Sequence, residues 1–331
     1  MSQQPPPPWD PDPSTTPPPV SGPYHYPGQP GDYPGQPAAV MPGYDAPWQG
    51  YLDPNDPLVT PPDGGVNGWW ARAVAAYRRS WRSAGVIIGL TQTVPAMAFS
   101  VLSLNYLGAF GPAAGSTEPL TTAEAEAQLS RAFGFLGITL VAVILLSFVQ
   151  ALGWAAGTWA VTREAAGAPA PLGDAFAYGL RRAPGLWGWT LLSGLITVVG
   201  FCACILPGFY LIFALALMGP VYLFERDNPI GRSFRLAHAN VGGVLGRLAI
   251  IAAVLIGGQF FAGVVQNVGF VAAGVANAGA ITPAGAVFAI IGTALTLPFT
   301  IFQLVSLITT YAEQRAREVP VTVTQLAGAL D

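Results

Sequence analysis

The sequence predicts an all-α, polytopic integral membrane protein: about six transmembrane helices in three helix-pair units, behind a disordered N-terminal tail. Three observations carry that prediction. Hydrophobic residues make up 52% of the 331 and charged residues only 9%, against about 25% charged in an average soluble chain. Six apolar stretches follow one another at 84–108, 132–161, 186–206, 208–224, 246–275 and 284–312, each near the ~20 residues a helix needs to cross the hydrocarbon core. Arginine is confined almost wholly to alternate connections between them. The same composition excludes other classes. Whole-chain disorder needs low hydrophobicity, a disulfide scaffold needs more than Cys202 and Cys204, and a net charge of −3 does not suit a nucleic-acid partner.

Residues 1–66 form the expected tail. They hold 20 of the 32 prolines and seven Asp without one Arg, and Tyr26-Pro-Gly-Gln-Pro30 recurs as Tyr33-Pro-Gly-Gln-Pro37. Such a segment has too little apolar surface to offset the entropy of ordering it. It is either a solvating tail or the docking segment for a protein partner. No cleaved signal peptide is expected, because the first long apolar run begins near Ala84. Residues 67–318 are the expected membrane domain, with interfacial helices, and 319–331 a short C-terminal tail.

Orientation follows from arginine. Thirteen of the fourteen Arg flank one side of the spans, and only Arg131 lies on the other. The positive-inside bias places both termini in the cytoplasm, in a bacterial cell (inner) membrane, and an even number of spans agrees. Thr121-Thr-Ala-Glu124, in the only sizeable external loop (109–131), fits a capping box leading into span two. Pro95 and Pro298 are expected to kink spans one and six, and Leu206-Pro207-Gly208 to turn the chain between spans three and four.

A weak repeat supports the three-unit reading. Arg72-AVAAYRRSWRSAGVIIGL, Asp174-AFAYGLRRAPGLWGWTLL and Arg232-SFRLAHANVGGVLGRLAI each lead into an odd-numbered span, and Leu206-Pro207 and Leu297-Pro298 accompany the second and third even spans. At about 100° per residue, Trp70, Val74, Tyr77 and Trp81 share one face of the first segment, with Arg72, Arg78, Arg79 and Arg82 on its flank. That pattern predicts a helix lying in the inner-leaflet interface. Arg72, Arg79, Arg82, Arg232 and Arg235 are the candidate contacts to anionic lipid head groups.

Two stretches carry a family resemblance. In the first, Leu206-Pro207-Gly208 opens a span with a late Pro220, Glu225 follows at its end, and Arg232-Ser233 opens the next helix. The second is Tyr311-A-Glu313-Q-Arg315-A-Arg317-Glu318. Over roughly residues 68–320 the chain resembles the membrane domain found next to glycerophosphoryl diester phosphodiesterases. The resemblance implies a six-span fold with no established chemistry of its own. It does not import catalysis: the phosphodiesterase is a separate barrel using paired His and an acid cluster, and this chain has only His25 and His238.

The remaining constellations read as structural. Glu225, Asp227, Arg232 and Arg235 make either a phosphate site or an ion-paired junction, and two acids favour the junction. Gln92, Gln150, Gln259, Gln266 and Gln303 are either interhelical glue or the lining of a polar path, and glue is the better fit. Cys202 and Cys204 point apart on a helix and are not expected to pair. Gly257, Gly258, Gly263, Gly269 and Gly274 in span five are expected to let helices pack closely. No catalytic residue, metal site or cofactor is expected. The function that follows is a non-enzymatic scaffolding or regulatory module of the cell envelope, with a transporter of a small solute or lipid-derived metabolite as the alternative.

Overall fold

The computed structural model describes residues 53–61, 63–103, 121–225, 227–274 and 282–331. Tail residues 1–52, most of the 109–131 loop and Arg226 lie outside them. The described residues form helices and no strand, and six helical segments are long and apolar enough to cross a bilayer. The protein is a multi-pass membrane protein.

Helix α1 (Gly65–Ile88) passes through a π turn at Gly89–Thr93 and runs on to Ser103 as span one. Pro95 has no N–H for the Thr91 carbonyl, and the π turn, closed by Val94 N–H on Gly89 O, absorbs the expected kink. Helix α2 (Thr122–Ala165) starts at the anticipated capping box. Thr121 Oγ1 accepts from Glu124 N–H, and Glu124 Oε2 accepts from Thr121 N–H.

Helices α3 (Leu172–Ala203) and α4 (Ile205–Leu215) meet at the extended residue Cys204. The turn therefore precedes Leu206-Pro207-Gly208, which forms the first turn of α4. A proline is well tolerated there, where its missing N–H would have no helical partner. Both cysteines are free and exposed.

Span four breaks at Ala216–Leu217 and resumes as α5 (Met218–Phe224). Span six breaks at Leu295–Thr296, between α8 (Pro283–Ala294) and α9 (Leu297–Glu318). Pro298 thus opens a new helix rather than kinking an old one. Within the repeat, Gly219-Pro220 is the counterpart of Leu297-Pro298; Leu206-Pro207 is not. The freed Ala214 carbonyl at the end of α4 accepts from Ser233 Oγ at 2.7 Å, the side-chain remedy broken spans require.

The third unit keeps a separate juxtamembrane helix, α6 (Pro229–Ala239), capped by Asn228, before α7 (Val241–Ala272), capped by Asn240. The first unit does not. Nothing between Arg82 and Ala84 interrupts α1, so the arginine-bearing segment is continuous with span one and is not a separate helix lying flat in the interface. Its core face is Trp69, Ala73, Ala76, Ser80, Ala84 and Ile87, a 3–4-residue stripe. Trp70 and Trp81 stay exposed and Val74 and Tyr77 half-buried. Trp69, beside the expected aromatic face, donates its indole N–H to Thr310 Oγ1 of α9 at 3.0 Å.

Successive spans pack side by side as pairs, and α1 also lies against α9. Small residues set the approach. A Cβ on Gly179 of α3 would lie 2.8 Å from the Leu152 carbonyl oxygen and 2.9 Å from Ala156 Cβ of α2. Gly179→Ala is expected to cost about 1–3 kcal/mol in detergent thermal unfolding. Gly188→Ala, whose new methyl meets nothing within 4 Å, is expected to be neutral or stabilising. In span five, Gly258 and Gly269 receive Phe299 and Phe288, whereas Gly257 and Gly263 have nothing near and Gly274 has φ of +67°. Close packing accounts for only two of those five glycines.

Two segments expected to be tails are part of the fold. Leu58, Val59 and Thr60 are buried, although the tail was expected to reach residue 66. Helix α10 (Val323–Ala329), with a Thr322–Gln325 capping box, buries Val323, Leu326 and Ala327, and Leu330 after it is buried too. The apolar residues make that possible: each segment has a short hydrophobic run that can be covered against the bundle.

Candidate functional site

The arginine-bearing end of the bundle is a joined ionic and aromatic latch. Glu225 ends α5, Arg232 lies in α6, and Tyr311, Arg315 and Glu318 lie in α9. Arg232 Nε donates to Glu225 Oε2 at 2.5 Å and Nη2 to Glu225 Oε1 at 3.3 Å; Nη1 donates to Glu318 Oε1 at 3.0 Å, and Nη2 also reaches Glu318 Oε2. Tyr311 Oη donates to Glu225 Oε1 at 2.9 Å, and Arg315 Nη1 lies 3.5 Å from the same oxygen. The Tyr311 ring stacks on Phe224 at 5.1 Å and 7°. Burial alone would lower the Arg232 pKa, but the hydrogen bonds and charges of Glu318 and Glu225 hold it above the ordinary arginine value.

A second pair lies on another face of α9. Glu313 is fully buried and accepts from Arg247 of α7 at 3.0 and 2.8 Å, and from Arg317 at 3.3 Å. Arg247 also donates to the Gly243 carbonyl at 3.3 Å. The bidentate fork is the geometry for which arginine is suited.

Polar contacts also tie residues 54–59 and the C-terminal residues to the bundle. Asp56 Oδ1 accepts from Leu58 N–H at 2.9 Å and Val59 N–H at 2.7 Å, while Oδ2 accepts from Val323 N–H at the start of α10 at 2.8 Å. Arg72 donates to the carbonyls of Asp56, Pro54 and Gly68. Arg163 pairs with Asp331 at 2.9 Å and lies over Trp159.

Above the latch, a cavity of about 210 Å³ opens between α2, α3, the broken span four and α9. Leu186, Leu223, Leu304 and Ile308 make its buried floor, and Ser147, Gln150 and Thr190 are among its polar lining groups.

These positions revise the head-group assignments. Arg232 is buried and engaged by two carboxylates, and Arg72 is held by three carbonyls of its own chain, so neither is free for a lipid phosphate. Arg79, Arg82 and Arg235 are exposed; Arg235 makes only a loose 3.8 Å pair with exposed Asp227, of the kind that contributes little. The expected quartet thus divides: Glu225 and Arg232 form the buried junction, and Asp227 and Arg235 stay outside it. Among the family-motif positions, the structure brings together Glu225, Arg232, Tyr311 and Arg315, sets Glu313 with Arg317 one face away, and uses Ser233 to cap α4. Leu206, Pro207 and Gly208 lie at the opposite end of span four. His238 joins Tyr210, Phe213 and Phe234 in an aromatic group, its Nδ1 facing the Phe234 carbonyl at 2.7 Å and its Nε2 facing Tyr210 Oη at 3.1 Å.

Among the described residues the five glutamines make no interhelical bonds. None of Gln92, Gln150, Gln259, Gln266 and Gln303 makes a side-chain hydrogen bond among the described residues, and buried Gln92 Nε2 has no partner. Sequence reasoning missed Trp69, Asp56 and the Arg247–Glu313 pair. The only available signals were the indole, carboxylate and guanidinium chemistry of those residues, with nothing to say which distant residue each would meet.

No protein-family model, no curated protein and no solved structure matches the chain. The fold and the latch define an all-α multi-span membrane protein that contacts lipid along six apolar segments.

Proposed function

We propose that the chain is a non-enzymatic scaffolding or regulatory module of a bacterial cell membrane, with its arginine-bearing end and both termini in the cytoplasm. The observation that carries the reading is the latch. The strongly buried ionisable side chains Glu225, Arg232, Arg247 and Glu313 are engaged with partners on other helices, and the ends of the membrane domain are tied beside them by Asp56 and Arg163. This builds a rigid platform from which residues 1–52 would leave as a docking segment for a protein partner. Glu225, Arg232, Tyr311 and Arg315, drawn from the two motif stretches, meet at this one junction. Exposed Arg79, Arg82 and Arg235 are the remaining candidates for anionic lipid.

Affinity capture from membranes with the full chain and with a chain lacking residues 1–52 tests the reading. Specific partners are expected with the first and their loss with the second; identical capture by both overturns the docking role. A cytoplasm-active reporter is expected to work after residues 168 and 228 and to fail at 116 and 279. Activity at 116 would reverse the orientation.

A second reading, transport of a small solute or lipid-derived metabolite, is favoured by one observation. Spans four and six are both broken just ahead of a proline, and span four breaks at the cavity. Paired interruptions of this kind mark substrate sites in repeat-built transporters.

A further inference from the structure

Gln150 stands beside the cavity above the latch with its amide free. It is exposed, and it has no hydrogen-bond partner among the described residues. It lies thirteen residues before Arg163 in one continuous helix, a rise of about 20 Å, which is well inside a hydrocarbon core of about 30 Å. An amide at that depth is strongly disfavoured unless something bonds to it. Of the neighbouring hydroxyls, those of Ser147 and Thr190 are already committed. Ser147 donates to the Ile144 carbonyl and accepts from Trp187 Nε1, and Thr190 donates to the Leu186 carbonyl.

The rest of the cavity constrains what could meet that amide. Its floor is buried and apolar, and no Asp, Glu, Arg, Lys or His lines it. An ionic group would be left there without a counter-charge. Its volume of about 210 Å³ is below the roughly 300–1,000 Å³ of pockets that enclose a drug-sized ligand. It therefore takes part of one hydrocarbon chain rather than a two-chain lipid, with the rest of the chain left in the bilayer.

We propose that this cavity is a binding site for a neutral single-chain amphiphile. The chain lies toward Leu223, Leu304 and Ile308, and its uncharged ester, amide or hydroxyl group pairs with Gln150. The broken span four makes the wall: Ala216 and Pro220 both border the cavity, and the interruption between them removes the regular helical surface that would otherwise fill it. The proposal does not depend on transport, since a resident lipid and a carried one would make the same contacts.

Photolabelling of the full chain in lipid nanodiscs tests it, with a mono-oleoylglycerol carrying a diazirine on its acyl chain as the probe. Saturable labelling is expected on peptides of α5 and α9, displaced by unlabelled mono-oleoylglycerol. The same chain ending in a sulfonate is expected to compete at least tenfold less well. Gln150→Leu is expected to weaken labelling about tenfold, and Ala216→Phe, which fills the cavity from its wall, to abolish it. Labelling that rises linearly with probe and spreads over exposed faces of α2 and α7 overturns the site. Equal competition by the sulfonate, or full labelling of Gln150→Leu, overturns the assigned chemistry. If Gln150→Leu does not fold, the sulfonate comparison on the unaltered chain still decides.

Discussion

Glu313→Gln is expected to destabilise the protein by about 3–5 kcal/mol, the usual cost of breaking a buried ion pair from one side. At about 2–4 °C per kcal/mol, thermal unfolding in detergent would fall by roughly 6–20 °C. The size of the effect follows from what is left behind. Glu313 is fully buried, and Arg247 has a side chain only 6% exposed. With the carboxylate replaced by a neutral amide, Arg247 keeps the Gly243 carbonyl and at most one side-chain amide oxygen as acceptors and becomes a buried charge without a counter-ion, beside Arg317, which has lost the same charged partner. The pair itself is not the source of stability, because desolvation offsets most of its attraction. A double-mutant cycle separates the two ideas. Arg247→Leu combined with Glu313→Leu is expected to recover most of the loss, whereas either change alone is not. A double variant as unstable as the sum of its singles would show that the two residues act independently.

How much of this was legible beforehand depends on the range of each interaction. Composition and apolar run length reveal six spans, since membrane crossing needs only length and hydrophobicity. The Thr121–Glu124 box was readable because its partners are three residues apart. The α1 register was not. Trp70, Tyr77 and Trp81 are the large amphipathic residues, yet the buried face is Trp69, Ala73, Ala76 and Ser80, with the Trp70 ring 5.4 Å from Phe302 of α9. In a membrane bundle small residues make the interface, and an aromatic face says nothing of which side another helix takes. Arg232 was placed with its local acids, but half of its hydrogen bonds go to Glu318, 86 residues away. Arg247 and Glu313 are separated by 66 residues and share no local pattern. Both readings fail at the same step, where an ionisable residue chooses between lipid phosphate and a distant side chain.

Removal of residues 1–66 is expected to destabilise the membrane domain severely, while removal of 1–52 leaves its unfolding unchanged. The difference lies in a short segment carrying the apolar pair Leu58-Val59. Leu58 and Val59 are buried, and Asp56 receives three backbone N–H groups, one of them from Val323 in the C-terminal helix. Hydrogen bonds to a charged group contribute about 1.5–3 kcal/mol each, though three on one carboxylate do not add fully. Asp56→Ala alone is therefore expected to cost about 2–4 kcal/mol. It would also release α10, because Val323 N–H loses its acceptor and the α10 start loses its tie to the segment ahead of α1. Limited proteolysis reads that release directly: cleavage near 319–323 is expected to accelerate in Asp56→Ala while cleavage between α2 and α3 does not. Arg72→Ala supplies the independent arm. It leaves the Asp56 carboxylate in place but frees the Pro54 and Asp56 carbonyls, so the same C-terminal cleavage is expected to rise to an intermediate rate. If Asp56→Ala and Arg72→Ala both leave the C-terminal segment as protected as in the unaltered chain, the two ends of the membrane domain fold without each other, and the shared platform loses its cross-link.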